Sequence, residues 1–366
     1  MVRARRLAAM RGRLCMGVSA SCGVVVGVDA SGVASVQHRP PRPVSPPAAE
    51  ICWRLPPTRW IKAESSAPAS RRRPPGVSMP SPDKAYKNLA FLNSPPARHI
   101  RILCEYEEPR QRFLNNKVHD TVVFFGSARA RSEVDARDAV AHAERELARA
   151  RTDEERRRLQ HQVKKANRVL RMARYYEDTR ELARRLTEWD MQRAASRRYY
   201  VCTGGGPGIM EAANRGAADV DGGRSVGLGI SLPFEENVNQ YVPPELAFEF
   251  HYFFTRKYWF MYLAKAMVLM PGGFGTMDEL FESLTLRQTG KVKKPMPTVL
   301  YGRDYWDDIM DLQKMVDWGT ISEDDLLLFH RSESVDDALD FLVSELEQIE
   351  RGESDFKPRK GRGDEQ

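Results

Sequence analysis

The sequence predicts an α/β protein: a doubly wound parallel sheet that carries a helical insertion and follows a disordered N-terminal extension. Three observations predict it. Five short apolar runs alternate with helix-patterned segments, three of those runs end in glycine-rich turns, and the composition changes sharply near residue 79. With 366 residues the chain is long enough for one large domain or two ordinary ones. No apolar run approaches the roughly 18 to 20 residues that cross a bilayer, so no membrane partner is expected. The five cysteines (Cys15, Cys22, Cys52, Cys104, Cys202) are odd in number and lack C-x-x-C spacing. That pattern argues against a disulfide framework or a zinc site and fits a reducing, cytoplasmic compartment.

The formal charge of +7 is unevenly spread. Residues 1–78 hold thirteen Lys/Arg and three Asp/Glu, a net of +10, which leaves −3 for residues 79–366. Averaged this way the folded part is mildly acidic, and no nucleic-acid partner is expected. The same 78 residues hold ten of the 23 prolines, in runs such as Arg39-Pro40-Pro41-Arg42-Pro43. Such a stretch buries too little apolar surface to offset chain entropy, so disorder is expected. Three other readings stay open: a leader peptide, from the basic start ahead of Cys22–Val28, a true start at Met79, and a basic interaction tail. Residues 79–119 then form a lead-in, 120–350 the main domain, and 351–366 a charged tail.

Within the main domain the expected strands are Thr121–Gly126, Tyr199–Gly204, Ser225–Ser231, Ala266–Pro271 and Pro297–Gly302. Each is short and mostly β-branched or aromatic, as suits strands buried on both faces. Helical apolar spacing marks Tyr176–Trp189, Ile209–Ala218, Arg256–Ala264, Met277–Leu286 and Val335–Ile349. Alternation of the two implies right-handed crossovers. Residues 131–174, dense in Ala, Arg, Glu, Gln and Leu without Pro or Gly, predict one long helix or a helical hairpin, with Thr152-Asp153-Glu154-Glu155 as a cap for a second helix.

Ligands of such sheets bind at the carboxyl ends of the strands. There the chain places Gly126-Ser127-Ala128, Gly204-Gly205-Gly206-Pro207-Gly208 and Pro271-Gly272-Gly273-Phe274-Gly275-Thr276. The last lies between a strand and a helix, where main-chain N–H groups and the helix dipole favour a phosphate. Neither G-x-x-x-x-G-K-[ST] nor G-x-G-x-x-G is met, so triphosphate hydrolysis and hydride transfer lose support. Downstream, Asp278 complements the helix dipole, whereas Glu279 is placed to face the sugar of a nucleotide held on the loop, and Glu282 shares its face. Arg256 and Lys257 sit among bulky apolar neighbours, where a guanidinium needs an acidic or phosphate partner. Met210 and Phe274 are either base-pocket or core residues, and Glu211 and Asn214 either reach the sugar or are ordinary helix polarity.

These residues resemble the LONELY GUY (LOG) family, whose proteins are often labelled lysine decarboxylase. The resemblance covers about residues 120–320. It rests on Gly204–Met210, on Arg256-Lys257, and on Pro271–Glu279, which meets P-G-G-x-G-T-x-x-E without departure. It implies a Rossmann-like fold, assembly as a homodimer or higher homo-oligomer, and hydrolysis of a nucleoside 5′-monophosphate (AMP or a cytokinin riboside monophosphate) to free base and ribose 5-phosphate, without metal or cofactor. By position, Gly272, Gly273, Gly275 and Thr276 would hold the phosphate and Arg256 and Glu279 would be the catalytic pair. Ser127, Gly205, Gly206, Met210 and Glu282 are candidate sugar or base contacts. A non-catalytic nucleotide sensor or cofactor carrier of the same fold is the alternative. A decarboxylase would need a pyridoxal phosphate lysine, for which Lys265 is the nearest candidate and lacks a convincing partner pattern.

Overall fold

A computed structural model describes residues 84–231 and 238–353, together with two strands nearer the N-terminus. Contacts divide the chain into Met1–Met79 and Pro80–Gln366. In the first unit β1 (Val24–Val28) pairs antiparallel with β2 (Ala34–His38). The expected disorder of 1–78, the leader and the start at Met79 otherwise lie outside the described residues, as does the tail beyond residue 353.

In the second unit α1 (Leu89–Leu92) and α2 (Arg98–Asn115) lead into β3 (Asp120–Phe125). There follow α3 (Glu133–Ala148), α4 (Asp153–Met191), β4 (Tyr199–Thr203), α5 (Ile209–Ala218), β5 (Ser225–Ile230) and β6 (Ala247–Phe250). The chain then continues through α6 (Phe253–Leu263), β7 (Ala264–Leu269), α7 (Phe274–Gln288) and β8 (Thr298–Tyr301). It closes with α8 (Arg303–Ile309), α9 (Leu312–Asp317), β9 (His330–Ser332) and α10 (Val335–Arg351). Among the described residues no helix is long and apolar enough to cross a membrane.

The seven strands β3 to β9 form one all-parallel sheet in the order β6-β5-β4-β3-β7-β8-β9. All five expected strands are present. Two more complete the edges, and neither has an apolar run to announce it: β6 is Ala-Phe-Glu-Phe and β9 is His-Arg-Ser. Both faces are covered, so alternate residues of one strand enter different layers. Val122 and Phe124 of β3 pack with Leu182 and Leu186 of α4, Ala213 of α5 and Leu342 of α10. Val123 and Phe125 pack with Phe113 of α2, Phe260 of α6 and Leu280 of α7. Burial on both sides is why the strand reads as an unbroken apolar run.

The insertion is a hairpin of α3 and α4, with Thr152 at the N-cap accepting from the Glu155 amide at 3.2 Å. The separate helix expected at Tyr176–Trp189 is the C-terminal half of α4, one continuous helix of 39 residues. Nothing between Thr152 and Met191 stops it, because the stretch holds neither Pro nor Gly. Its second half packs on the sheet beside α5, and its first half extends past that layer to carry α3.

From β3 the chain steps outward through β4, β5 and β6, then returns to β7 on the other side of β3. The crevice between the ends of β3 and β7 is therefore the switch point, where ligands of such sheets bind.

Candidate active site

At this switch point lies a cleft of about 710 Å3. Its walls come from the turn after β3 (Gly126–Arg129), Gly204 at the end of β4, Met210 of α5, Arg256 of α6, and the loop and first turn of α7 (Gly272–Glu279). Main-chain bonds tie the two diverging turns together: the Ser127 amide donates to the Pro271 carbonyl at 3.0 Å and the Ile209 amide to the Ser127 carbonyl at 3.1 Å. The hydroxyl of Tyr305, from α8, donates to the carbonyl of Gly272.

The floor of the cleft is the open N-terminus of α7. No side chain caps this helix at Gly273, and the amides of a first helical turn have no partner within the helix. A Cβ at Gly273 or Gly275 would meet nothing within 4 Å, so both main-chain faces are open to the cleft. At Gly272 a Cβ would come within 2.1 Å of Thr276 Oγ1, so only glycine lets that hydroxyl close on the loop.

Glu279 lies one turn further along α7 and lines the same cleft. It is only 6 % exposed, and its Oε2 is buried without a hydrogen-bond partner. Burial pushes its carboxyl up to about 7, against the pull of Lys257 and Arg256. A carboxylate kept in this condition is costly, and such groups mark functional sites more often than structural ones. Lys257 faces the exposed side of the same turn, pairing with Asp278 at 2.7 Å and Glu282 at 2.8 Å.

Arg256 is anchored by its Nε, which donates to the Leu228 carbonyl of β5 at 2.7 Å, and its guanidinium lies over the Phe260 ring. It passes so close to β4 that a Cβ on Gly204 would sit 2.4 Å from Nη2. The first glycine of the 204–208 run thus makes room for the arginine.

The structure gathers Arg256, Glu279, Gly272, Gly273, Gly275, Thr276, Ser127 and Met210 around one cleft. Gly205 and Gly206 line an adjoining cleft of about 470 Å3 that shares Gly204 and Ile230 with the first. Glu282 is engaged by Lys257, and the described lining of the main cleft does not include it. Asn214 is fully buried between Thr203 and Ser225 and bonds to Asn239, so it braces the glycine turn. Glu211 accepts from the hydroxyl of Tyr176. Phe274 is no core residue: it stands 96 % exposed at the lip. Sequence reasoning missed Arg129 and Tyr305. The basic residue two positions after Gly126-Ser127 was the available signal for the first; nothing in the sequence links α8 to the loop after β7.

Lys265, the second residue of β7, pairs with Asp120, the first residue of β3, at 3.4 Å. That is the end of the sheet opposite the cleft, so no lysine reaches the glycine loop from there. Among the described residues no cluster of three or more His, Cys, Asp or Glu is arranged to hold a metal.

No curated protein matches the chain. Residues 210–342 match the family model described as "Possible lysine decarboxylase". That span runs from α5 into α10 and includes Arg256, the loop after β7 and Glu279. Over that span, about a third of its length, the chain is similar to the family that contains the LOG proteins.

Proposed function

We propose that the cleft binds a nucleoside 5′-monophosphate and hydrolyses its N-glycosidic bond, taking up one water and releasing free base and ribose 5-phosphate. The observation that carries this reading is the Oε2 of Glu279, buried and unpartnered beside an open helix N-terminus. A phosphate seated on the amides of Gly273 and Gly275 and on Thr276 would satisfy the helix end. It would also present the sugar to the next turn, where Glu279 stands. Departure of the base builds positive charge on the anomeric carbon, and a carboxylate there stabilises the transition state more than the neutral ground state. The same carboxylate would orient the attacking water and accept its proton. Arg256, held rigid by the Leu228 carbonyl, would bind the sugar or the departing base, and exposed Arg129 would supply the cation that the neutral loop lacks. A protein that only carried or sensed nucleotides would gain nothing from a desolvated carboxylate next to an anionic ligand, which favours catalysis.

The lip of the cleft argues for a second copy of the chain. Phe274 stands free, and Phe253, Phe254, Tyr258 and Tyr262 of α6 are also exposed. An aromatic surface of this kind is what homo-oligomer interfaces cover. The deciding experiment incubates purified protein with AMP and with a cytokinin riboside monophosphate and quantifies base and ribose 5-phosphate. Equal molar release of both is expected, and Glu279→Ala should lower the rate on the order of 10² to 10⁴. Turnover near wild type in that variant would remove the assignment.

A further inference from the structure

The cleft does not account for the hairpin of α3 and α4. Over residues 156–174, α4 carries eight Lys/Arg and no Asp/Glu. Arg156, Arg157, Arg158, Lys164, Lys165 and Arg168 are all exposed, and among the described residues none of the six makes an ion pair. α3 covers the other side of the helix, where Leu159 is buried. At 3.6 residues per turn, Arg157, Lys164, Arg168 and Arg171 follow one another in a line about 21 Å long on the uncovered face. At its inner end Arg171 approaches Asp308 of α8 at 3.8 Å. Tyr305 and Ile309 of that same helix line the cleft, so the basic line leads toward its rim.

Like charges at these spacings weaken a helix, and among the described residues only Arg171 and Arg174 of the eight are ion-paired. The side chains between them narrow the occupant. The exposed neighbours are Gln160, His161, Gln162 and Asn167, without the apolar residues that an interfacial membrane helix inserts. The face offers no exposed aromatic or apolar side chain to seed the core of a protein–protein interface. Single strands need aromatic platforms, but Tyr175 and Tyr176 are buried. Double-helical DNA meets what is present: phosphates for the cations, a groove about 12 Å wide that admits a helix, and base edges within reach of Gln and Asn. We propose that the exposed face of α4 is a docking surface for duplex DNA. The net −3 of residues 79–366 conceals this surface, because acidic residues elsewhere in the chain, Asp153–Glu155 at the start of the same helix among them, cancel it in the sum.

The test is fluorescence anisotropy of a labelled mixed-sequence duplex with the full chain, titrated at several salt concentrations. The variant R156Q/R157Q/R158Q/K164Q/K165Q/R168Q keeps the basic N-terminal extension, so the difference from wild type reports α4 alone. We expect binding weaker on the order of 10²-fold at low salt, with a salt slope shallower by about 0.9 for each phosphate no longer neutralised. A companion in which the four arginines become lysine should retain both affinity and slope, with unchanged helical circular dichroism. Wild-type binding by the glutamine variant would overturn the proposal. So would equal loss in the lysine variant, or an equal effect on binding to phosphatidylserine vesicles or polyglutamate.

Discussion

Replacing Lys257 by methionine tests whether Glu279 works as an ionised carboxylate. Lys257 exerts the strongest of the pulls that hold the Glu279 pKa down to about 7. It also neutralises the neighbouring Asp278 and Glu282, at 2.7 and 2.8 Å. Methionine keeps the bulk of the stem and leaves two bare negative charges near Glu279. An adjacent opposite charge moves a carboxyl pKa by about one to three. The lower end of that range takes Glu279 from about 7 to about 8. At pH 7 the ionised fraction then falls from about one half to about one tenth, so kcat/KM should drop roughly fivefold, with little loss at pH 9. The assay is a pH profile of base release by both chains, read as their ratio so that titration of the substrate phosphate cancels. An acidic limb that does not move, or activity at pH 7 that rises, would refute the role: the second result would mean that Glu279 acts protonated.

The same buried carboxyl should cost stability. Its folded pKa of about 7 lies above its ordinary 4.5, so the penalty is absent below 4.5 and grows as pH rises toward 7. Glu279→Gln is expected to gain about 2 to 3 kcal/mol more at pH 8 than at pH 5 in urea unfolding, and an equal gain at both would contradict the burial argument. At the phosphate loop, Gly273→Ala has room for its methyl group and should keep wild-type thermal stability while raising KM for the nucleotide about tenfold, roughly the worth of one good hydrogen bond. Gly272→Ala meets Thr276 Oγ1 at 2.1 Å and should lower the melting temperature as well. Arg129→Gln should raise KM for a nucleoside 5′-monophosphate by about tenfold or more without lowering kcat, since it removes a charge-assisted hydrogen bond. It should leave binding of the unphosphorylated nucleoside unchanged; equal losses for both ligands would place Arg129 away from the phosphate.

The central sheet was legible in the sequence because strands buried on both sides need apolar residues on both sides, and Val122 to Phe125 satisfy that locally. Ile209–Ala218 matches α5 residue for residue, and the glycine turns after β3 and β7 line the cleft at the carboxyl ends of the strands. Local patterning also supplied the Thr152 cap of the hairpin. Edge strands β6 and β9 were invisible, since their pairing is set by the neighbouring strand rather than by their own side chains. The length of α4 was missed because no residue marks the point where it passes from exposed arm to buried layer.

The site divides in the same way. Sequence spacing alone put Thr276 and Glu279 one turn apart at the start of α7, since helical geometry is local. Arg256 meets them from a helix on the far side of β7, and its position depends on a carbonyl of β5 and on the missing side chain of Gly204. Asn214 and Glu282 looked equally available to a ligand until packing assigned one to the buried turn and the other to Lys257. The residue types able to hold an anion and steady a cation were therefore determined by the sequence. Which of them face one another, and that Glu279 does so buried with a pKa near 7 rather than solvated near 4.5, was decided only in three dimensions, because desolvation is a property of everything packed around a group.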